Sequence, residues 1–269
     1  MESELFELEL LGGAIERRYR KMRPEVAEMP WGTLDLSLYS PESLIAGRRS
    51  WTGAAFQEHR TAAACALTLR ALIECRAPID LIAAFSKFPL DEVLHVELCA
   101  RMAMELGGGT EIQHDPAGLV ADADRSLPAL WRAAELVTRN FCVGEALSIP
   151  LLHGTWQAAS HPLPRAVLGR IVKDEAAHGV YGFTFLDWAL PNLDAAALDH
   201  LRVTAQGTIT AIHRTWADIR KRPKVEKSDG HALGWMESDA YLALADRSLR
   251  ERVVKPLRAR GIMVVAEDA

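Results

Sequence analysis

The chain has 269 residues, of which 49% are hydrophobic and 25% are charged, and its formal net charge is −5. This length allows one large domain with a sizeable core, and the negative charge argues against non-specific binding to nucleic acid. No apolar run approaches the roughly 18 residues that a membrane span needs, and the N-terminal residues lack the layout of a signal peptide. We therefore expect a cytoplasmic protein that does not associate with membranes.

The first half of the chain predicts helices almost throughout, because alanine and leucine dominate and strand-like alternation is scarce. Residues 1–50 predict one helix and an irregular strap over the core. A long helix is predicted at about 51–76, and a second at about 79–106, where three consecutive glycines end it. Pro89 lies inside the second pattern, so that helix either has a kink at the proline or starts there.

The second half continues the helical pattern after a polar, glycine-rich connection at 107–125. Pro150 predicts a kink in the third helix. The predicted elements are helices at about 126–159, 165–190, 194–221 and 237–260, with a charged loop at 222–233. The four cysteines fit no C-x-x-C motif, so we expect buried, reduced thiols.

The connection lengths predict how the helices pair. The first two long helices are joined tightly, the third and fourth likewise, and about twenty residues join the two pairs. Two helical hairpins with one long crossover are typical of the ferritin-like version of the four-helix bundle. We therefore expect an all-α, one-domain protein with an N-terminal extension at 1–50, a bundle at 51–190 and a C-terminal helical extension at 191–269.

A five-residue pattern, D-E-x-x-H, occurs twice in the chain. It covers residues 91–95 and 174–178, and these contain the only two Asp-Glu dipeptides in the sequence. On a helix, residues three apart lie on the same face about one turn apart. Each copy therefore offers a carboxylate and an imidazole to the same point, and two such helices facing each other predict a dinuclear metal site.

The other two helices of the bundle are expected to supply one glutamate each. Glu145 is the only acid in its apolar stretch and lies 30 residues before Glu175, while Glu58 lies 34 residues before Glu92. Folding each hairpin at its predicted turn brings these pairs to similar levels, whereas Glu74 lies too close to its turn. The predicted ligands are Glu58, Glu92, His95, Glu145, Glu175 and His178.

Hard oxygen ligands with imidazole favour iron or manganese, and an open coordination position is where dioxygen would bind. Asp91 and Asp174 are candidates to accept a hydrogen bond from the ligand histidine of the opposite helix. The alternative interpretation is a satisfied polar core or surface pairs without metal. Glu97 is expected at the surface. For His153 and His213 an ordinary hydrogen-bonded histidine is the favoured interpretation, and the alternative is that they face the bundle interior and add to the site.

These residues resemble the ferritin-like di-iron carboxylate superfamily, in its oxygenase and oxidase branch, over about residues 51–190. The superfamily includes ferritins, the radical-generating subunit of ribonucleotide reductase, bacterial multicomponent monooxygenases and tRNA-hydroxylating monooxygenases. The resemblance implies that two iron ions bind at the six ligands and react with dioxygen. It also implies that Glu145, together with Glu58, bridges the metals or shifts as they cycle.

The function that the resemblance implies is a non-haem di-iron oxidase or monooxygenase acting on a small or carrier-bound organic substrate. Electrons would come from a separate reductase, since the sequence carries no nicotinamide or flavin fingerprint. The alternatives are a ferroxidase or other iron-handling protein, a tRNA-hydroxylase-like enzyme, which the net charge does not favour, and a non-catalytic helical bundle. A monomer or a homodimer is compatible with the oxygenase interpretation.

Overall fold

The computed structural model describes residues 4–221 and 229–266, and these residues are mostly helical, as the sequence predicts. Within this part of the chain, extended pairing is limited to two short antiparallel strands, β1 Glu4–Leu5 and β2 Gln113–His114. They tie the N-terminal segment to the connection that follows the second long helix. Among the described helices, none combines the length and the apolar character that crossing a bilayer requires.

The described residues form twelve α-helices, most of them joined by short connections, with a long connection between α4 and α5. Two π-helical segments, Thr138–Glu145 and Leu249–Val254, continue directly from one α-helix into the next. The α-helices are α1 Gly13–Met22, α2 Glu25–Glu28, α3 Pro41–Glu74, α4 Ile79–Glu105, α5 Ala129–Val137, α6 Ala146–Ala158, α7 Pro162–Glu175, α8 His178–Ala189, α9 Ala195–Arg220, α10 Gly230–Leu233, α11 Ser238–Ser248 and α12 Lys255–Ala259.

Helix α3 begins at Pro41, which corrects the predicted start at residue 51. The Ser40 side chain accepts a hydrogen bond from the N–H of Ser43 and so caps the helix, and Pro41 follows in the first turn. Proline is favoured there because its missing N–H would have no helical acceptor in any case. The predicted strap therefore ends at Ser40 and is shorter than the whole of residues 1–50.

Helix α4 passes through Pro89 without ending, so the alternative that the helix starts at the proline is wrong. The helix ends where the glycines predict an end. Gly107 and Gly108 have φ values of 104° and 120°, and their N–H groups donate to the carbonyls of Met104 and Ala103. Glycine adopts this left-handed conformation without steric cost, which closes the last turn.

The third and fourth predicted helices are not regular along their whole length. The predicted helix 126–159 consists of α5, the π-helical segment Thr138–Glu145 and α6. The predicted helix 165–190 begins earlier, at Pro162, and is interrupted at residues 176–177 between α7 and α8. Both irregularities coincide with predicted metal ligands.

The helices pack around two adjoining buried cores. Helices α3 and α4 pack along each other and are antiparallel, because a four-residue turn joins them, and α6 packs on α7. Helix α4 also contacts α7 and α8, while α5 contacts α3 and α8. Four phenylalanines, Phe85, Phe88, Phe141 and Phe185, are the largest fully buried side chains of the first core.

Segments outside residues 51–190 contribute to both cores. Val26 from α2 packs into the second core, and Leu249 and Leu257 pack into the first. The predicted charged loop 222–233 needs a correction, since its last part forms helix α10; its residues 222–228 lie outside the described part of the chain. Burial of Val26 in the second core brings the N-terminal residues close to the predicted metal ligands.

Candidate metal centre

The two D-E-x-x-H segments face each other inside the protein. Glu92 and His95 lie in the middle of α4, while Glu175 ends α7 and His178 begins α8. Nδ1 of His178 lies 3.1 Å from Glu92 Oε1 and 3.0 Å from Glu175 Oε2. Nδ1 of His95 lies 3.2 Å from Glu175 Oε1 and 3.5 Å from Glu92 Oε2. The two carboxylates and the two imidazoles therefore converge on one buried point.

Glu58 and Glu145 complete the cluster from two other helical segments. Glu58 comes from α3, and its Oε2 lies 3.8 Å from Nδ1 of His95, while Glu145 is the last residue of the π-helical segment. The six side chains form two overlapping groups, each with its ligand atoms within 4.8 Å of one another: Glu58, Glu92, His95 and Glu175, and Glu92, Glu145, Glu175 and His178. Glu92 and Glu175 are common to both groups, whereas the resemblance implies that Glu145, together with Glu58, bridges the metals or shifts as they cycle.

The backbone near Glu145 departs from a regular α-helix. A π-helical turn accommodates one extra residue and changes which side chains face inward, and such turns are frequent at functional sites. Helix α8 approaches this turn closely at Gly182, where an added Cβ would lie 2.6 Å from Cβ of Phe141 and 3.2 Å from Sγ of Cys142. The glycine therefore allows the contact that holds the π-helical segment beside α8.

The cluster contains buried polar atoms whose hydrogen-bonding capacity is unused. Both oxygens of Glu92, Oε2 of Glu175 and both ring nitrogens of His95 and His178 lack a partner of hydrogen-bond geometry among the described residues. Unsatisfied buried polar atoms are uncommon in folded proteins and call for an explanation. Carboxylate oxygens and imidazole nitrogens are metal ligands, so a cation at this point would satisfy them. The residues present therefore fit a metal site.

Two carboxylates of the cluster have raised pKa values, because burial opposes their ionisation. Burial raises the pKa of Glu58 to about 8, with the charge of Glu92 acting in the same direction and His95 opposing it. Burial also raises the pKa of Glu145 well above its usual range, reinforced by the charges of Glu175 and Glu92. Metal ligands bind in their deprotonated form, so metal binding here releases protons.

Asp91 and Asp174 each lie beside the histidine of the opposite helix. Nε2 of His178 is 3.6 Å from Asp91 Oδ2, and Nε2 of His95 is 3.5 Å from Asp174 Oδ2. Burial favours the neutral rings, but these aspartates and the cluster glutamates raise the pKa of His178 to about 12 and that of His95 well above its usual value. This placement leaves Nδ1 of each ring for the centre of the cluster.

Sequence reasoning does not identify Arg23 or Phe88 as parts of this centre. The Arg23 guanidinium donates to both Asp91 and Asp174, and the Phe88 ring packs on the His178 imidazole with centroids 4.0 Å apart. Arg23 follows the charged run of α1, whose pattern predicts a solvated face. The Arg-Pro junction between two helices is the signal that could draw attention to it, because a residue before proline is disfavoured in a helix.

Three further candidates lie away from the cluster. Glu97, expected at the surface, is largely buried and accepts hydrogen bonds from Arg20 and Arg101, so that expectation is wrong. His153 lines a separate groove beside α6 and α11. His213 packs edge-on against a tryptophan, and its Nε2 is buried without a hydrogen-bond partner among the described residues.

A cavity of about 720 Å³ reaches the cluster from one side. Its lining includes the carboxylate-bearing residues Glu58, Glu145 and Glu175. The remaining walls combine apolar residues of α3, the π-helical segment, α6 and α9 with polar residues that include Arg60, Arg139 and Asn140, and Tyr241 of α11 also lines the cavity. The apolar part consists mainly of Ala64, Phe141, Leu147, Leu151, Ile212 and Trp216. A molecule of moderate size can therefore lie directly against the carboxylates of the candidate metal centre.

Comparison with known proteins does not assign this chain to a family, so its chemistry has to be inferred from the site. Neither a protein-family model nor a curated protein sequence matches this chain. The described structure shows a mostly helical protein with a buried cluster of four glutamates and two histidines that can hold a metal ion.

Proposed function

We propose that this protein is a dioxygen-activating, non-haem di-iron oxidase or monooxygenase built on a ferritin-like four-helix bundle. The observation that carries the proposal is the buried cluster in which Glu92 and Glu175 belong to two overlapping four-residue groups. Shared carboxylates are what two adjacent cations need in order to be held by one set of side chains. Manganese is the alternative occupant, because its ligand preferences are similar.

The helices that carry the ligands support the bundle. One Glu-x-x-His pair comes from α4, and the other spans the end of α7 and the start of α8, which together form one long, interrupted helix. One single glutamate comes from α3. The other comes from the π-helical segment, which joins α5 and α6 into one continuous helix. This distribution of ligands over four long helices is the ligand pattern of ferritin-like dimetal proteins. The tight α3–α4 and α6–α7 connections and the long connection between the pairs agree with the same topology.

Bound iron would supply the electrons and the open coordination positions that dioxygen needs. The chain itself contributes position and shielding. Ser148 Oγ lies 3.1 Å from Glu145 Oε2 and can hold this carboxylate at the edge of the cavity. Phe88 covers the His178 ring, and the fully buried Phe141 lies next to Phe88 in the core. These rings exclude water from one side of the site, so reactive species meet the substrate before they meet solvent.

The cavity supports an organic substrate over simple iron handling. Its volume of about 720 Å³ lies within the range of pockets that enclose small organic molecules. Oxidation of ferrous ions alone requires only a passage for ions. We propose a mainly apolar substrate, free or held on a carrier, whose reacting end lies near Glu58 and Glu145.

The electron balance calls for a partner. Inserting one atom of dioxygen into an organic molecule leaves the second atom to become water, which consumes two electrons and two protons. The sequence carries no nicotinamide or flavin fingerprint that would bind an internal donor. A separate reductase therefore belongs to the proposal.

The experiment is to load the full chain with Fe²⁺ without oxygen, add dioxygen, and follow both the optical spectrum and oxygen uptake with a chemical reductant present. We expect an absorbance change that needs two irons per chain, and repeated oxygen uptake without accumulation of ferric mineral. His153→Ala is the control, because His153 faces a different groove. Accumulation of an iron core would instead identify an iron-storage protein, and no reaction with dioxygen would refute the proposal.

A further inference from the structure

We infer that Arg23 is a positioning residue of the metal centre, which joins its two halves by holding Asp91 and Asp174 together. The inference rests on the proposed function, since it requires metal at the cluster. Arg23 lies between α1 and α2, so the N-terminal segment would contribute a residue that orients the metal ligands.

The contacts of Arg23 form a bridge between the two D-E-x-x-H segments. Its side chain is 6% exposed, and its two terminal nitrogens donate to different aspartates, at 2.5 Å to Asp91 Oδ1 and 2.7 Å to Asp174 Oδ2. The remaining guanidinium nitrogen donates to Glu25 at 3.2 Å. Each aspartate also lies beside the histidine of the opposite helix. Arg23 is therefore linked, through one aspartate each, to both of the proposed metal-ligating rings.

The backbone explains why this side chain points inward. Pro24 disfavours a helical conformation for the residue before it, and α1 ends at Met22. The N–H of Arg23 donates to the carbonyl of Tyr19 at 2.8 Å, which fixes the residue at the end of the helix. The side chain can then pass into the gap between α4 and α7.

Arginine suits this position better than lysine does. The planar guanidinium presents several N–H groups in a fixed fork and can serve two carboxylates simultaneously, whereas an ammonium acts as a point charge. Lys87 lies 2.7 Å from Asp91 and 3.9 Å from Asp174, but its side chain is 63% exposed. Arg170 pairs with Asp174, so Arg23 is the buried cation that holds both aspartates at hydrogen-bond distance.

The consequence for metal binding follows from the histidine tautomer. A carboxylate beside Nε2 keeps the proton on that nitrogen and directs the lone pair of Nδ1 towards the metal. Removal of Arg23 would leave two buried carboxylates without their shared counter-charge, which is costly. The aspartates would then turn towards Lys87 and Arg170, and the imidazoles would lose their fixed orientation.

The test uses Co²⁺ as the probe and the full-length protein. Arg23→Lys and Arg23→Gln are compared with Arg20→Gln, a control that lies one turn earlier and reaches α4 at Glu97, away from the cluster. We expect Arg23→Lys to weaken Co²⁺ binding about 10- to 100-fold, the usual cost of losing an outer partner of a metal ligand. The control should bind like the wild type.

A second readout separates positioning from general structural support. In the Co²⁺-loaded wild type, two exchangeable imidazole N–H protons should give shifted proton resonances that exchange slowly with solvent. Arg23→Lys should make both exchange faster, even under conditions where it is fully folded and loaded. Unchanged affinity and exchange in Arg23→Lys would overturn the inference while leaving the proposed function intact. A wild type that binds no Co²⁺ would contradict both.

Discussion

Glu58 shows how a single buried candidate ligand would link metal binding to stability. Its ordinary pKa is 4.5, and burial raises the value to about 8 in the metal-free folded protein. Between these values the folded chain holds a proton that the unfolded chain has released. The contribution of Glu58 to the stability of the metal-free protein therefore falls as pH rises from about 5 to 8, because this residue binds fewer protons in the unfolded state over this window.

Replacing Glu58 with Gln should remove this contribution. We expect the metal-free variant to be more stable than the wild type at pH 8, by about 3 kcal/mol, and similar to it at pH 5. Denaturant unfolding at several pH values measures the difference. Parallel pH profiles for the two proteins would contradict the protonation of Glu58. The same variant should bind metal more weakly at every pH.

Glu145 and Glu92 should differ in what their loss does to metal stoichiometry. Glu145 belongs to only one of the two ligand groups, whereas Glu92 belongs to both. We therefore expect Glu145→Gln to retain one tightly bound Co²⁺ per chain and Glu92→Gln to retain none. Equilibrium dialysis with metal analysis distinguishes these results. Equal losses in the two variants would show that the groups do not correspond to separate ions.

At the scale of elements, the sequence predicts which segments are helical better than where they begin or bend. Hydrophobic periodicity and the three glycines correctly indicate α4 and its end. The early start of α3 is not predicted, because a proline is typical of irregular segments as well as of the first helical turn. Only the recognition of Ser40 as the N-cap would have placed Pro41 inside the helix. The π-helical segment and the interruption at 176–177 are not predicted either. The π-helical segment changes the hydrogen-bond spacing by one residue, and the interruption covers only two residues; apolar periodicity resolves neither.

The close contact between α8 and the π-helical segment should depend on Gly182. Alanine there would clash with Phe141, because no flexible side-chain end can move away. We expect Gly182→Ala to lower the free energy of unfolding by about 1–3 kcal/mol. Gly207→Ala is the matched control, since a methyl group there would meet no neighbouring side chain of the described residues within 4 Å, and alanine favours the helix. Similar stabilities for both variants, measured by denaturant unfolding, would contradict the packing argument.

At the scale of the whole molecule, part of the site depends on contacts that local patterns do not encode. The six acidic and histidine residues can be proposed from their spacing, since helix geometry relates residues three apart and hairpins relate equal distances from a turn. Arg23 cannot, because it lies 68 and 151 residues from the two aspartates it contacts. The cavity likewise requires α9 and α11 to be placed beside α3 and α6.

Anaerobic titration of the full chain with Fe²⁺, followed by metal analysis after removal of free ions, counts the ions that the cluster holds. We expect two irons per chain in the wild type, at most one in His178→Ala and none in Glu92→Ala, because His178 belongs to one of the two groups and Glu92 to both. Helical content should be preserved by circular dichroism in both variants. His153→Ala should bind two. A wild-type protein that retains no iron or manganese, or a His178→Ala variant that retains two irons, would contradict the assignment of this cluster as a dimetal site.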